Sequence, residues 1–305
     1  MIRRFALIWA VVGALCLAIP VVANSAPEPV GAWYMYATSF DGLKAEALSH
    51  GQHFAENHPG GDRLMLLDFG AARKLGSSNW GTISFGNGST PFSNCEILAA
   101  LKAAADGVHK GWFTGSTTIA YGNSNYHMSN SGMSKEDAYS AGYFQSLRAQ
   151  NLYEYQQAKN YNRQSAAVAS DIEPSWETAA MSKQLVDGVS GQGWALSYDF
   201  GSADGCASSG SNGSCNNGWT VGDVAYVSYS GSAVPLPEIY YTVNSDQWTT
   251  VKRLWDSTHA TDYYFWGTTA EIASNVLSPA QGWNALNTRN KGSVLPEIAC
   301  FGCGS

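Results

Sequence analysis

What most constrains this chain is an alternation. Short apolar, β-rich runs stand at AWYMYA (32–37), RLMLLDFG (63–70), STTIAYG (116–122), AAVASDIE (166–173), GWALSYDFG (193–201), DVAYVSYSG (223–231), DYYFWGT (262–268) and VLPEIACFG (294–302), mostly closing in glycine or polar residues. Helical patterns fill most of the gaps between them. The clearest begins at Ser134, where Ser134 and Asp137 spell a capping box and Ala138, Ala141, Phe144, Leu147, Leu152 and Tyr155 fall near one stripe. CEILAALKAAADGVHK, WETAAMSKQLVDGVS and SDQWTTVKRLWDST are the others. Strand and helix in regular turn imply βαβ units and a parallel sheet. Eight such strands in residues 24–305 match a single α/β domain of the (β/α)8 TIM-barrel type more closely than a doubly wound sheet. PEIYYTV (237–243) reads as a ninth strand or as a loop, and LPEI at 236–239 recurs at 295–298.

The amino terminus carries two arginines, an apolar stretch from Phe5 to Val22 and then small residues, the pattern of a signal peptide cleaved after Ala23. The mature protein is therefore expected in the medium, beginning at Asn24 and free of the membrane. Amino-terminal sequencing of the secreted and membrane fractions checks this, and an intact Met1 terminus in the membranes would make the apolar run an anchor. Beyond residue 23 five cysteines remain. Cys206 and Cys215 bracket ASSGSNGS, and Cys300 and Cys303 form a terminal C-x-x-C. Local disulfides suit these spacings better than a zinc site, because the pairs are not the matched short knuckles of a zinc ribbon. They leave Cys95 over, and make residues 201–222 a disulfide-bracketed insertion.

Charged residues are only 13% of the chain, against a usual ~25%. With a net charge of -7 and no lysine or arginine cluster, the partner is expected to be neither nucleic acid nor an anionic membrane. There is no G-x-S-x-G elbow, no P-loop, no H-E-x-x-H and no G-x-G-x-x-G opening a helix, so neither a cofactor nor a metal is expected. His50, His53 and His58 read as surface residues, while His127 follows a strand and could reach its end.

Acids gather where barrel enzymes work, at the carboxyl ends of strands: Asp68 in LLDFG, Asp171 and Glu173 in SDIEP, Asp199 in YDFG. Side chains two apart on a strand share a face, so Asp171 and Glu173 look into one space. Crowding by Asp171 and partial burial by Trp176 are expected to raise the pKa of Glu173, as a general acid near neutral pH requires. The plainer reading makes Glu173 a cap of the helix starting near Trp176, and Asp68 and Asp199 ordinary turn residues beside glycine. Eleven tryptophans and sixteen tyrosines offer flat rings for sugar faces. Trp80, Trp112, Trp194, Trp219 and Trp248 lie near expected loops or strand ends; Trp176, Tyr198, Tyr229 and Trp266 are the expected substrate contacts.

LLDFG and SDIEP resemble the early strand ending in aspartate and the middle strand ending in D-x-E of secreted bacterial glycoside-hydrolase barrels. The likeness is to the lysozyme-like family 25 glycoside hydrolases and the related uncharacterised actinobacterial domains. The resemblance covers these short motifs. It implies Glu173 as general acid, Asp171 and Asp68 as charged partners, and a cell-wall or other polysaccharide as substrate. The alternative expectation is a secreted carbohydrate-binding or surface protein on the same scaffold without catalysis.

Overall fold

The computed structural model describes residues 25–58, 60–85, 90–111 and 114–303; the signal-peptide reading and Trp112 lie outside the described residues. The chain forms an α/β fold around a sheet of eight parallel strands: β1 (Val30–Tyr34), β2 (Asp62–Gly76), β5 (Ser116–Ser124), β6 (Gln164–Asp171), β7 (Ser197–Asp199), β8 (Ala233–Pro235), β9 (Thr268–Glu271) and β10 (Ile298–Phe301). Their order across the sheet is β8-β7-β6-β5-β2-β1-β10-β9. The outermost two approach each other. Trp266 N donates to Pro235 O at 2.7 Å and Thr269 N to Pro237 O at 2.8 Å, and Glu238 and Thr269 form a parallel bridge. An antiparallel hairpin that the sequence reading lacks, β3 (Asn79–Ile83) and β4 (Pro91–Ser93), extends β2 past its parallel part.

Among the described residues seven α-helices surround the sheet: α1 (Phe40–Asn57), α2 (Asn94–Lys110), α3 (Lys135–Ala158), α4 (Ala179–Gln192), α5 (Val221–Tyr229), α6 (Thr242–Thr258) and α7 (Pro279–Arg289). The Ser134–Asp137 capping box forms as its spacing predicts. Helices α3 and α4 touch backbone to backbone: a Cβ on Gly142 would lie 1.9 Å from Leu185 O, and one on Gly188 1.9 Å from Tyr139 O. One apolar cluster contains residues of the strands and of the positions just past their ends and no helix residue, among them Ala32, Leu66, Ala169, Phe200, Leu236 and Phe301, and so marks the inner face. The opposite face packs on helices, as Met65, Leu67 and Phe69 do against Ile97 and Leu101 of α2. Inside and outside alternate along each strand.

One expected strand is a helix. DVAYVSYSG is α5, where Thr220 and Asp223 form a capping box and Val221, Val224, Ala225 and Ser228 are buried at positions i, i+3, i+4 and i+7. Its run is short and apolar almost throughout, and such a run fits either period. The strand it displaced follows directly in AVPLPEI, where hydrogen bonds continue β8 to Ile239; α6 begins at Thr242, so PEIYYTV is divided between strand and helix.

Both expected disulfides form, Cys206–Cys215 and Cys300–Cys303, and Cys95 is free and exposed. Disulfides of this kind belong to an oxidising compartment. No helix among the described residues is long and apolar enough to cross a membrane. The insertion is anchored rather than loose. Asn217 Nδ2 and Trp219 Nε1 donate to Glu177 O at 3.1 and 2.7 Å, and Asn216 Nδ2 donates to Ser175 Oγ at 3.1 Å. Peptide mapping without reductant should recover Cys206 and Cys215 as one linked species. Replacing both with serine should cost about 2–3 kcal/mol of stability; two free thiols in the native protein would refute the pairing.

Candidate active site

The inner face ends, on the carboxyl side, in acids. Asp68 follows Leu64 and Leu66 in phase on β2, and Asp171 follows Ala167 and Ala169 on β6. Glu238 follows Val234 and Leu236 beyond β8, while Glu271 pairs in register with inward-facing Phe301. Tyr34 pairs in register with Asp68. Between Asp68 and β6 stands Gly122, whose missing side chain leaves room: a Cβ there would lie 2.9 Å from Asp68 Cα.

Glu173 sits two residues past the end of β6, and its backbone is held at both ends by one buried side chain. Asn125 Oδ1 accepts from Glu173 N at 3.1 Å, and Asn125 Nδ2 donates to Glu173 O at 3.0 Å. Glu173 is not a helix cap; Thr178 caps α4. A few residues on, Glu177 is fixed by Ser129, whose backbone N and Oγ donate to its carboxylate at 2.6 and 2.8 Å. The loop between β6 and α4 is thus pinned from β5 and from the insertion. The Glu173 carboxyl is left to face its neighbours.

Those neighbours are acids. One oxygen each from Asp171, Glu173 and Glu238 lies within 4.8 Å of the other two, and Glu173 and Glu238 are close enough to share a proton. Burial pushes Glu173 up to about 7, with the charge of Asp204 adding to it. Burial, then the charges of Glu173 and Glu238, hold Asp171 well above the usual carboxylate range. Glu238 is raised by burial and by Glu173, and Asp68 by burial to about 7. Tyr34 is raised by burial and by Asp171. Asp68 Oδ2 and Asp171 Oδ1 are buried without a hydrogen-bond partner. Among the described residues no salt bridge includes any of these acids. Three oxygens so spaced would also fit around a hard divalent cation such as Ca²⁺, with contacts of about 2.3–2.6 Å.

Beside the acids opens a pocket of about 340 Å³, lined by Tyr34, Tyr36, Phe85, Tyr126, Trp176 and Asp171. The rings brace one another edge to face. Tyr126 and Trp176 meet at 5.3 Å and 90°, and Tyr34 and Phe85 at 6.1 Å and 86°, while Tyr34 is stacked on Phe301 at 4.2 Å. His127 lies against Tyr126, one residue behind the wall.

Of the expected residues, Glu173, Asp171, Asp68 and Trp176 come together here. Asp199 does not share their face. Tyr198 and Phe200 belong to the inner cluster, so Asp199 points outward, accepts from Gly201 N at 3.3 Å and from Ile172 N, and is pushed by burial up to about 8. Tyr198 and Trp266 line a different cavity, of about 460 Å³, with Asp62, Ser116 and Glu297 at the amino ends of the strands. Tyr229 is the last residue of α5, stacked on Tyr263 at 4.6 Å and donating to Asp262 O. These three aromatics are not in the pocket. Trp219 and Trp248 are core residues. The sequence reading missed Glu238, Glu271, Asn125 and the four other aromatic walls. Glu238 was hidden by the strand placed one element early, and Glu271 stands three residues past the end of the run DYYFWGT. The chain matches no family model, no curated protein and no solved structure.

Proposed function

We propose that the chain is a secreted glycoside hydrolase-like protein, acting on a polysaccharide or cell-wall glycan by carboxylate general acid/base catalysis, and that its sheet closes into an eight-stranded barrel through the contacts between 235–239 and 266–269. The observation that carries the reading is Glu173: its backbone is clamped, it stands among buried acids beside an aromatic pocket with Asp171 in its lining, and burial pushes its carboxyl up to about 7. Rings of this kind stack on the apolar faces of pyranoses. A sugar so held brings its glycosidic oxygen to Glu173, which gives up its proton as the bond to the anomeric carbon breaks. The positive charge developing at that carbon draws the ionised form onto a neighbouring acid, Asp171 or Glu238, and water then adds to the carbon and returns a proton to Glu173, so that a hydroxyl replaces the leaving group. A carboxylate and a carboxylic acid side by side, each stabilised in its role by the other, are what this chemistry needs.

A binding protein without catalysis would be favoured by acids locked in salt bridges or by a mouth filled with side chains. Among the described residues no salt bridge includes these acids, and the pocket beside them is open. Incubating the mature protein with a panel of glycans and peptidoglycan, and reading new reducing ends, tests the proposal. Release from at least one glycan is expected; binding without release from any would leave the non-catalytic reading.

A further inference from the structure

The pocket lacks a positive charge. Its lining is five aromatic side chains and Asp171, which is 96% buried by its 4% exposure and whose Oδ1 has no partner. Behind Asp171 stand Glu173, Glu238 and Asp68, and the charges of Asp204 and Glu271 also bear on this group. Arg73, on the strand flanking Tyr126, donates to the carbonyl oxygens of Ala72 and Tyr126 and does not line the pocket.

We propose that the pocket takes a protonated amine, presented by a sugar that carries a free amino group, as in a de-N-acetylated glycan. An ammonium has three donors and no acceptor, which matches a site of carboxylate oxygens. It would sit against the Asp171 side chain that lines the pocket and supply the counter-charge that the crowded acids lack. The aromatic faces attract the same cation, most strongly when it is stripped of water. A neutral acetamido group offers one N–H where the ammonium offers three, and brings no charge.

The carbohydrate part of this inference rests on the proposed function; the amine part does not require catalysis. Binding of short, fully de-N-acetylated chito-oligosaccharides to the mature chain is measured at pH 7 through tryptophan fluorescence, beside N-acetylated oligomers of the same length, with reducing ends read in the same samples. The amino form is expected to bind at least about tenfold more tightly. That preference should shrink with added salt and disappear in Asp171→Asn, while Trp176→Ala weakens it. Equal or tighter binding of the acetylated form, no binding of either, or a preference untouched by Asp171→Asn would overturn the inference. Cleavage of glycans without amine preference removes the inference and leaves the hydrolase. Amine-selective binding without cleavage does the reverse.

Discussion

Glu173→Gln is expected to lower turnover on an unactivated glycan by roughly 10²–10⁴-fold while leaving the melting temperature unchanged or raised. Glutamine keeps the size of the side chain and its capacity to hydrogen-bond to Glu238, but it has no proton to give a leaving group. The fold should not suffer, because the carboxyl of Glu173 caps no helix and makes no salt bridge; what secures the loop is the backbone clamp of Asn125 and the anchoring of Glu177. Removing one acid from a buried set of like charges relieves a cost that the folded state carries. Turnover and melting temperature on this one variant separate the possible roles. Retained activity would strip Glu173 of the general-acid role. A loss of stability of about 1–3 kcal/mol would show the carboxyl to be a structural partner instead.

The second large effect is on stability against pH. Between pH 5 and pH 8 the melting temperature is expected to fall as pH rises. Burial raises Asp68, Glu173 and Glu297 to about 7 and Asp199 to about 8, whereas carboxyls in the unfolded chain titrate near 4. Across that window the native state holds protons that the unfolded state has lost, so unfolding becomes easier with each step upward. Each such proton removes about 1.4 kcal/mol per pH unit, or roughly 2–3 °C in a domain of this size. On the acid side the opposite groups take over. Glu46, Asp137 and Asp223 are lowered by their hydrogen bonds, to His50 first for Glu46, to Lys74 first for Asp137 and to Lys183 first for Asp223, and their contribution is lost only as pH falls through and below about 4. Thermal melts in matched ionic strength at half-unit steps measure the slope. A flat or rising profile from pH 5 to 8 would mean that the acids ionise freely, and with that the case for a protonated Glu173 would fail.

Much of the architecture was legible from periodicity. Seven of the strand runs overlap strands, because an apolar run of four to eight β-prone residues closed by glycine is a local signal. Ser134 and Asp137 announced α3 by hydrogen bonds that span only three residues. The local disulfides, too, were readable from spacing. What failed was DVAYVSYSG, where sheet and helix periods are both satisfied and only the packing of Val221, Val224 and Ala225 beneath α6 and α4 selects the helix. That single slip moved the next strand out of view and took Glu238 with it.

The deepest limit appears in a tripeptide that occurs twice. Asp68-Phe69-Gly70 and Asp199-Phe200-Gly201 are the same three residues, each at a strand end, and in each the aspartate accepts a hydrogen bond from the glycine two residues on. That local turn is determined by the sequence, since it needs only an aspartate and an unhindered N–H two residues along. The outcome is nevertheless opposite. Phe69 packs outward on the helices and Asp68 faces the acids, whereas Phe200 fills the inner layer and Asp199 turns away. Nothing within the tripeptide sets that phase. It is set by the register of each strand against its neighbours, Asp68 beside Tyr34 and Gly122, Asp199 beside Ser170 and Pro235. A shift of one residue in register exchanges the two faces of a strand. The chain thus determined by itself that both aspartates would stand at strand ends, and only the assembled sheet decided which of them belongs to the site.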